Sequence, residues 1–143
     1  MYGMLDISTS GMIAQRQRLD VISSNLANQN ALFDANGQLN PYRRRSALFA
    51  PGNPSATTAQ GRKFGVHVAK IDVDSAPVQP RVFDPDSPQA FKSGPFKGYV
   101  AETGVNSTVE NVNALEAMRA YEANVMAAEA TKQMMASALR LIA

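Results

Sequence analysis

Few side chains in this chain of 143 residues could carry out chemistry. It contains no cysteine and a single histidine, His67. This composition excludes disulfides, thiolate metal sites and a cysteine nucleophile, and it leaves too few nitrogen ligands for a zinc site. A lone histidine within a predicted strand is typical of a hydrogen-bonded structural residue, so we assign His67 no catalytic role.

Carboxylate pairs are the remaining candidates for a catalytic or cation site. Asp72 and Asp74 alternate along a predicted strand, and Asp84 and Asp86 flank Pro85. Such pairs occur in hydrolases and calcium sites, but solvent-exposed edges and turns explain them better. We predict no enzyme activity, no cofactor and no metal. A small enzyme using this Asp-rich middle is an alternative, which a pocket with converging carboxylates would support.

A run of three arginines, Arg43, Arg44 and Arg45, forms a local basic patch. The formal net charge of the whole chain is only +2, far from the balance of a dedicated nucleic-acid binder. A solvent-exposed strand explains the run, and its functional interpretation is an outer contact with an acidic neighbour or a polyanion. We expect no binding to nucleic acid.

The helix-breaking residues divide the chain into three parts. All eight prolines lie between Pro41 and Pro95, so both ends are free to form long helices. We predict an α+β fold with an N-terminal helix over residues 1–33, a β-rich module with linkers over 34–106, and a C-terminal helix over 107–143. No stretch approaches the roughly 20 apolar residues of a membrane-spanning helix, and the N-terminus lacks the features of a cleaved secretory signal.

The N-terminal segment has a heptad-like apolar stripe. Leu5, Met12, Leu19 and Leu26 recur every seven residues, and Ile22 lies three residues after Leu19. This spacing predicts an amphipathic helix. Its weak point is Gly11.

The C-terminal segment has the stronger helical pattern. Ser107 and Glu110 have the spacing of a capping box, and the run that follows them contains neither proline nor glycine. Two heptad positions form a predicted a/d seam, occupied by Met118, Val125 and Leu139 and by Ala114, Tyr121, Ala128, Met135 and Ile142.

We expect the stripes at the two ends to be buried between helices, partly between different subunits. An ordinary core helix of a small bundle is the alternative for the C-terminal stripe. The predicted subunit interface comprises Leu5, Met12, Leu19, Ile22, Leu26, Met118, Tyr121, Val125, Ala128, Met135, Leu139 and Ile142.

The middle of the chain predicts short strands joined by turns. Residues 64–73 have the β-branched content of a strand. The alternation changes phase near Ala69 and Lys70, which suggests a bulge or a strand buried on both faces. Residues 47–49, 81–83 and 96–101 are weaker strand candidates, and residues 51–61 are predicted to form an exposed loop.

Several segments resemble the bacterial flagellar axial proteins. The N-terminal signature of that family is similar to SGMIAQRQRLDVISSNLANQNA, residues 10–31, and its C-terminal signature to ALEAMRAYEANVMAAEATKQMMASALRL, residues 114–141. The middle segments NPYRRR, GVHVAKI, DPDSPQA and GYVA are similar to proximal rod proteins of the FlgC type. After GYVA the chain departs from the usual Pro-Asn turn and reads Glu-Thr-Gly-Val.

The resemblance implies a structural subunit of the flagellar basal-body rod. It implies that the terminal helices pair as a coiled coil near the axis of a hollow tube, with the β-rich module outside. The tube would transmit torque and pass later subunits through its lumen. Implied partners are other copies of the chain, other rod proteins, the flagellar type III export apparatus and, outside, peptidoglycan or ring proteins. The implied location is the periplasmic rod, reached without a cleaved signal peptide.

A generic coiled-coil adaptor is the alternative function. It would pair the two ends in an isolated soluble dimer, whereas a rod protein pairs them within a tubular assembly.

Overall fold

The computed structural model describes residues 2–76, 80 and 82–142, the last by its backbone alone. It confirms the α+β class, with a long helix at each end and short antiparallel strands between them. The elements are α1 (Tyr2–Ala27), β1 (Arg45–Pro51), α2 (Ala59–Phe64), β2 (Val66–Val73), β3 (Val82–Phe83), β4 (Tyr99–Val100) and α3 (Ser107–Ile142).

The two long helices pack against each other within the chain, in opposite directions. Gly11 on α1 lies beside Asn124 on α3, whereas Asn25, later in α1, bonds to Glu110 near the start of α3. This register places the start of α1 opposite the region of Lys132. The last turns of α3 therefore extend beyond the first described residue of α1.

Small residues bring the two helix backbones close together. Ala14 and Ala117 are almost completely buried at the contact. A Cβ atom on Gly11 would lie 2.6 Å from the Oδ1 atom of Asn124, much closer than such atoms approach in folded proteins. Gly11 thus lowers the intrinsic helix propensity of α1, as expected, but it also permits the close approach of α3.

Helix α3 begins where the sequence predicts, but its cap is a different residue. The Oδ1 atom of Asn106 accepts hydrogen bonds from the backbone N–H groups of Thr108 at 3.0 Å and Val109 at 3.3 Å. The predicted capping box of Ser107 and Glu110 is wrong, because the Glu110 carboxylate turns toward Arg44 instead. An arginine bond to a buried carboxylate outweighs a reciprocal cap.

The predicted bulge in the main strand is confirmed. Strands β1 and β2 form an antiparallel pair in which Leu48 lies opposite Lys70 and Phe49 opposite Val68, so Ala69 has no partner in the ladder. One extra residue reverses the side-chain alternation. This explains the change of phase in the sequence.

Of the three weaker strand candidates, residues 47–49 lie within β1 of the main sheet. The other two candidates contain the strands of a second, smaller sheet. Strands β3 and β4 pair over two residues each, Val82 with Val100 and Phe83 with Tyr99. The rings of Phe83 and Tyr99 pack edge to face with 5.1 Å between their centroids. Arg81, the first residue of one candidate strand, lies outside the described residues.

The predicted exposed loop over residues 51–61 is wrong at its end, where the short helix α2 begins at Ala59. Thr58 caps it: its Oγ1 atom accepts a hydrogen bond of 3.1 Å from the N–H of Gly61. A helix of six residues is too short to show apolar periodicity, so this segment carries no helical signal.

Candidate functional site

The side chains considered as catalytic candidates form structural contacts. His67 donates from Nδ1 to the carbonyl oxygen of Gly52 at 2.6 Å, which links the two ends of the segment joining β1 and β2. Asp72 is exposed and forms an ion pair of 2.6 Å with Lys70. Within residues 2–76, 80 and 82–142, no cluster of three or more His, Cys, Asp or Glu residues could hold a metal.

None of three open grooves has the converging carboxylates of a hydrolase in its described lining. A groove of about 490 Å³ lies between α1 and β2, and its described lining contains one carboxylate, Asp20, beside Lys70 and Arg45. Two further grooves run beside β1. These three grooves offer surfaces for packing, but their described lining contains no acid and base pair placed for catalysis.

A buried carboxylate joins three separate segments of the chain. Glu110 is completely buried. Its Oε1 atom accepts a hydrogen bond of 2.7 Å from Nε of Arg44, just before β1, and forms an ion pair of 2.7 Å with Nη2 of the same side chain. Its Oε2 atom accepts a bond of 2.9 Å from the side chain of Asn25 on α1. The single side chain of Glu110 therefore fixes α1, α3 and the start of β1 relative to one another.

Asn25 extends this connection to the backbone of the β-rich module. Its Nδ2 atom donates to the carbonyl oxygen of Arg45 at 2.8 Å, and its Oδ1 atom accepts from the N–H of Arg45 at 3.0 Å. The hydroxyl of Tyr42 donates to the same Oδ1 atom at 3.2 Å. These hydrogen bonds offset the free-energy cost of removing the Asn25 amide from water. It gives a physical reason for an asparagine at the start of the Asn-Leu-Ala-Asn segment.

A second polar contact ties the start of α1 to α2. The Oδ2 atom of Asp6 accepts hydrogen bonds from the Thr58 hydroxyl at 2.6 Å and the Thr58 N–H at 3.0 Å, and another from the Thr57 hydroxyl. The bonds from Thr58 lower the pKa of Asp6 below its ordinary value. Asp6 thereby orients the residue that caps α2.

The structure brings only part of the predicted subunit interface into the contact between α1 and α3. Ile22 is buried. Half-buried positions at the edge of the contact are Leu5, Met12, Leu19, Leu26, Val125, Ala128 and Met135. Exposed positions are Met118, Tyr121 and Leu139. Ile142 lies outside the residues whose side chains are described, and contact of this set with another subunit stays a prediction.

The three arginines have different surroundings. Arg43 is exposed. Arg45 places its guanidinium 5.6 Å from the centre of the Tyr42 ring. Arg44 is held by Glu110 inside the molecule, so it is not available for an outer contact. The predicted outer basic surface is thereby reduced to Arg43 and Arg45.

Sequence reasoning missed an exposed apolar surface on the sides of α1 and α3 that face away from each other. Ile13 on α1 is 53% exposed, and Met126 on α3 is 64% exposed. Leu115 and Met134 are also exposed on α3. The signal was present as apolar residues outside the heptad stripes, but which face an amphipathic helix buries depends on its partner.

Comparison with known proteins gives consistent matches. The family model described as "Flagella basal body rod protein" matches residues 5–31, and the one described as "Flagellar basal body rod FlgEFG protein C-terminal" matches residues 97–141. No helix in the described part of the chain is long and apolar enough to cross a bilayer.

Three relatives named flagellar basal-body rod protein FlgC match along nearly their whole length. The protein from Borreliella burgdorferi is 36% identical and covers 99% of this chain and 97% of the relative. Those from Yersinia enterocolitica and Bacillus subtilis are 39% and 35% identical, and each match covers 96% of this chain and 95% of the relative.

Proposed function

Because the chain belongs to the FlgC family of flagellar basal-body rod proteins, and is thus a structural subunit of the rod rather than an enzyme, we propose that it polymerises into a hollow helical drive shaft. This shaft transmits torque and lets exported subunits pass through its lumen. Membership of the family also removes the alternative of a generic coiled-coil adaptor.

One observation carries the proposal: the paired helices leave apolar side chains exposed on both of their outer sides. Ile13 and Met126 lie on different helices and face away from the shared contact. Two different surfaces on one subunit favour head-to-tail contacts, and such contacts build open helical assemblies unless their rotation closes a ring. Many such contacts together resist twisting even when each is weak.

The architecture suggests how the subunit is oriented in the tube. We place α1 and α3, packed as a coiled coil with neighbouring helices, near the axis and the two small sheets outside. The Glu110 connection holds the sheets to the helices, so a twisting force on one part is transferred to the other.

The proposal also includes the export apparatus and the molecules that surround the rod as partners. Export through the flagellar type III apparatus requires an unfolded chain, and a chain without cysteine has no disulfide to break. In the periplasm, Arg43 and Arg45 would contact an acidic surface of peptidoglycan, a ring protein or another rod protein.

The test replaces an exposed apolar residue of α3 by aspartate in motile cells that lack their own copy of the gene. Met126→Asp should leave the protein made but reduce hooks per cell, because an unpaired carboxylate in an apolar contact costs several kcal/mol and each ~1.4 kcal/mol is about tenfold in affinity. The matched control is Ser93→Asp in an exposed turn, which should leave hook number unchanged. Normal hooks and swimming with Met126→Asp would contradict the proposed assembly surface.

A further inference from the structure

The outer faces of α1 and α3 each carry a continuous row of exposed residues with alternating three- and four-residue spacing. Such a row forms one side of a helix. On α1 the row comprises Thr9, Ile13, Arg16, Asp20, Ser23 and Ala27. On α3 it comprises Arg119, Ala123, Met126, Ala130, Gln133 and Ser137. Every residue in both rows is exposed.

These two rows face away from the contact between α1 and α3 inside the chain. That contact is made by Gly11, Ala14 and Ala117, with Asn124 against Gly11. One chain cannot bring its own outer rows together, because the paired helices lie between them. The two rows can therefore meet each other only between different copies of the chain.

The rows complement each other when they run in opposite directions. If Asp20 lies opposite Arg119, the spacing places Ile13 opposite Met126 and Thr9 opposite Ala130. The same alignment places Arg16 beside Glu122. One register thus pairs opposite charges and also pairs the two large apolar side chains.

We propose that the outer row of α3 in one copy of this chain packs, antiparallel, against the outer row of α1 in the next copy, with Asp20 opposite Arg119 and Ile13 opposite Met126. This inference rests on the proposed assembly and specifies its contact. The occupant is a second copy because both complementary rows belong to the same chain. Opposite charges across the contact fix the register and disfavour other alignments.

The register also predicts a stagger between copies. Inside the chain Gly11 lies beside Asn124, whereas in the proposed contact Ile13 lies opposite Met126, which is four residues further along α3 than the internal register gives. At about 1.5 Å per residue the next copy is displaced by about 6 Å along the helix axis. A head-to-tail contact with an axial displacement produces a helix rather than a closed ring.

The test uses the absence of native cysteine. The double variant Ile13→Cys and Met126→Cys is expressed as the only copy in motile cells, basal bodies are purified, and a short thiol-reactive linker is added. We expect a series of linked dimers and larger species. The matched control, Ser23→Cys with Met126→Cys, keeps both charges, is off register by ten residues, or about 15 Å along the helix, and should give roughly tenfold less product.

Several outcomes would overturn the contact. Assembled basal bodies without linked species from the Ile13 and Met126 pair would do so, as would equal linking by the off-register control. Linked dimers from Met126→Cys alone would indicate contact between two α3 helices and would also refute it. Absence of the wild-type protein from purified basal bodies would instead contradict its role in the rod.

Charge exchange provides a second test that does not depend on linking. Asp20→Arg and Arg119→Asp should each reduce the number of hooks about tenfold, and the double variant should restore at least about half of them, since the opposite charges are paired again. Both residues are exposed, so the thermal unfolding of each purified variant should match the wild type. Failure of the double variant to restore hooks, with folding intact, would contradict the register.

Discussion

At the scale of single residues, Glu110 determines the relative position of elements that are distant in sequence. Its carboxylate is inaccessible to water and bonds to Arg44 and Asn25. Removing it would leave the Arg44 guanidinium and the Asn25 amide without their shared acceptor. Breaking a buried pair from one side costs far more than breaking a surface pair.

We predict that Glu110→Ala lowers the free energy of unfolding by about 3 kcal/mol, because both side chains lose their bonds to its carboxylate. The Arg44 side chain is 32% exposed, so water partly replaces the lost bond and keeps the cost at the lower end of the range. Urea denaturation of the purified protein measures the change.

The matched control is Glu116→Ala, which breaks the ion pair with Arg18 on the same two helices. The Glu116 side chain is 63% exposed, so its loss should cost less than about 1 kcal/mol. Equal effects of the two variants would show that Glu110 has no special structural role.

At the scale of elements, the close approach of α1 and α3 depends on the absence of a side chain at Gly11. The side chain of Asn124 fills the space beside it and donates from Nδ2 to the Ala120 carbonyl at 2.8 Å. Asn124 is therefore held in place and cannot move aside freely. The helix pair is matched in shape as well as in polarity.

We predict that Gly11→Ala lowers the free energy of unfolding by about 1 kcal/mol, because the new methyl group collides with Asn124. At an open helical site the same change would stabilise the protein by about 1 kcal/mol. The control is Gly11→Ala in an Asn124→Ala background, where the space is free and the substitution should be stabilising. Thermal unfolding of the four proteins tests this, and stabilisation by Gly11→Ala alone would contradict the close contact.

At the scale of the whole molecule, the β-rich module is joined to the helix pair through Arg44 while Arg43 remains exposed beside it. Neighbouring arginines thus serve different purposes, one inside the subunit and one toward its surroundings. Substitutions of Arg43 and Arg44 can therefore distinguish an effect on stability from an effect on assembly.

We predict that Arg43→Glu reduces swimming while changing the free energy of unfolding by less than about 0.5 kcal/mol, since its proposed contact lies outside the subunit. Arg44→Glu should instead destabilise the subunit by at least about 3 kcal/mol, because it places a second carboxylate beside buried Glu110. Swimming assays and urea denaturation separate the two effects. Wild-type swimming with Arg43→Glu would contradict the outer basic contact.

The parts of the fold that depend on local regularity could be predicted from the amino-acid sequence. The proline distribution and heptad spacing located both long helices, and the break in alternation at Ala69 located the bulge. The absence of cysteine and the lone His67 excluded most catalytic sites. These features follow from neighbouring residues along the chain, so they can be read without knowing what the elements contact.

Which residues of those elements meet depends on the packing of the folded chain. The Leu5 stripe lies at the edge of the helix contact, whereas Gly11 and Asn124 lie at its centre. Glu110 does not form the predicted cap but bonds to Arg44, 66 residues away in sequence. Small and polar side chains give no periodic apolar signal, and the free energy of a buried polar contact depends on a partner that the spacing of residues along the chain does not identify.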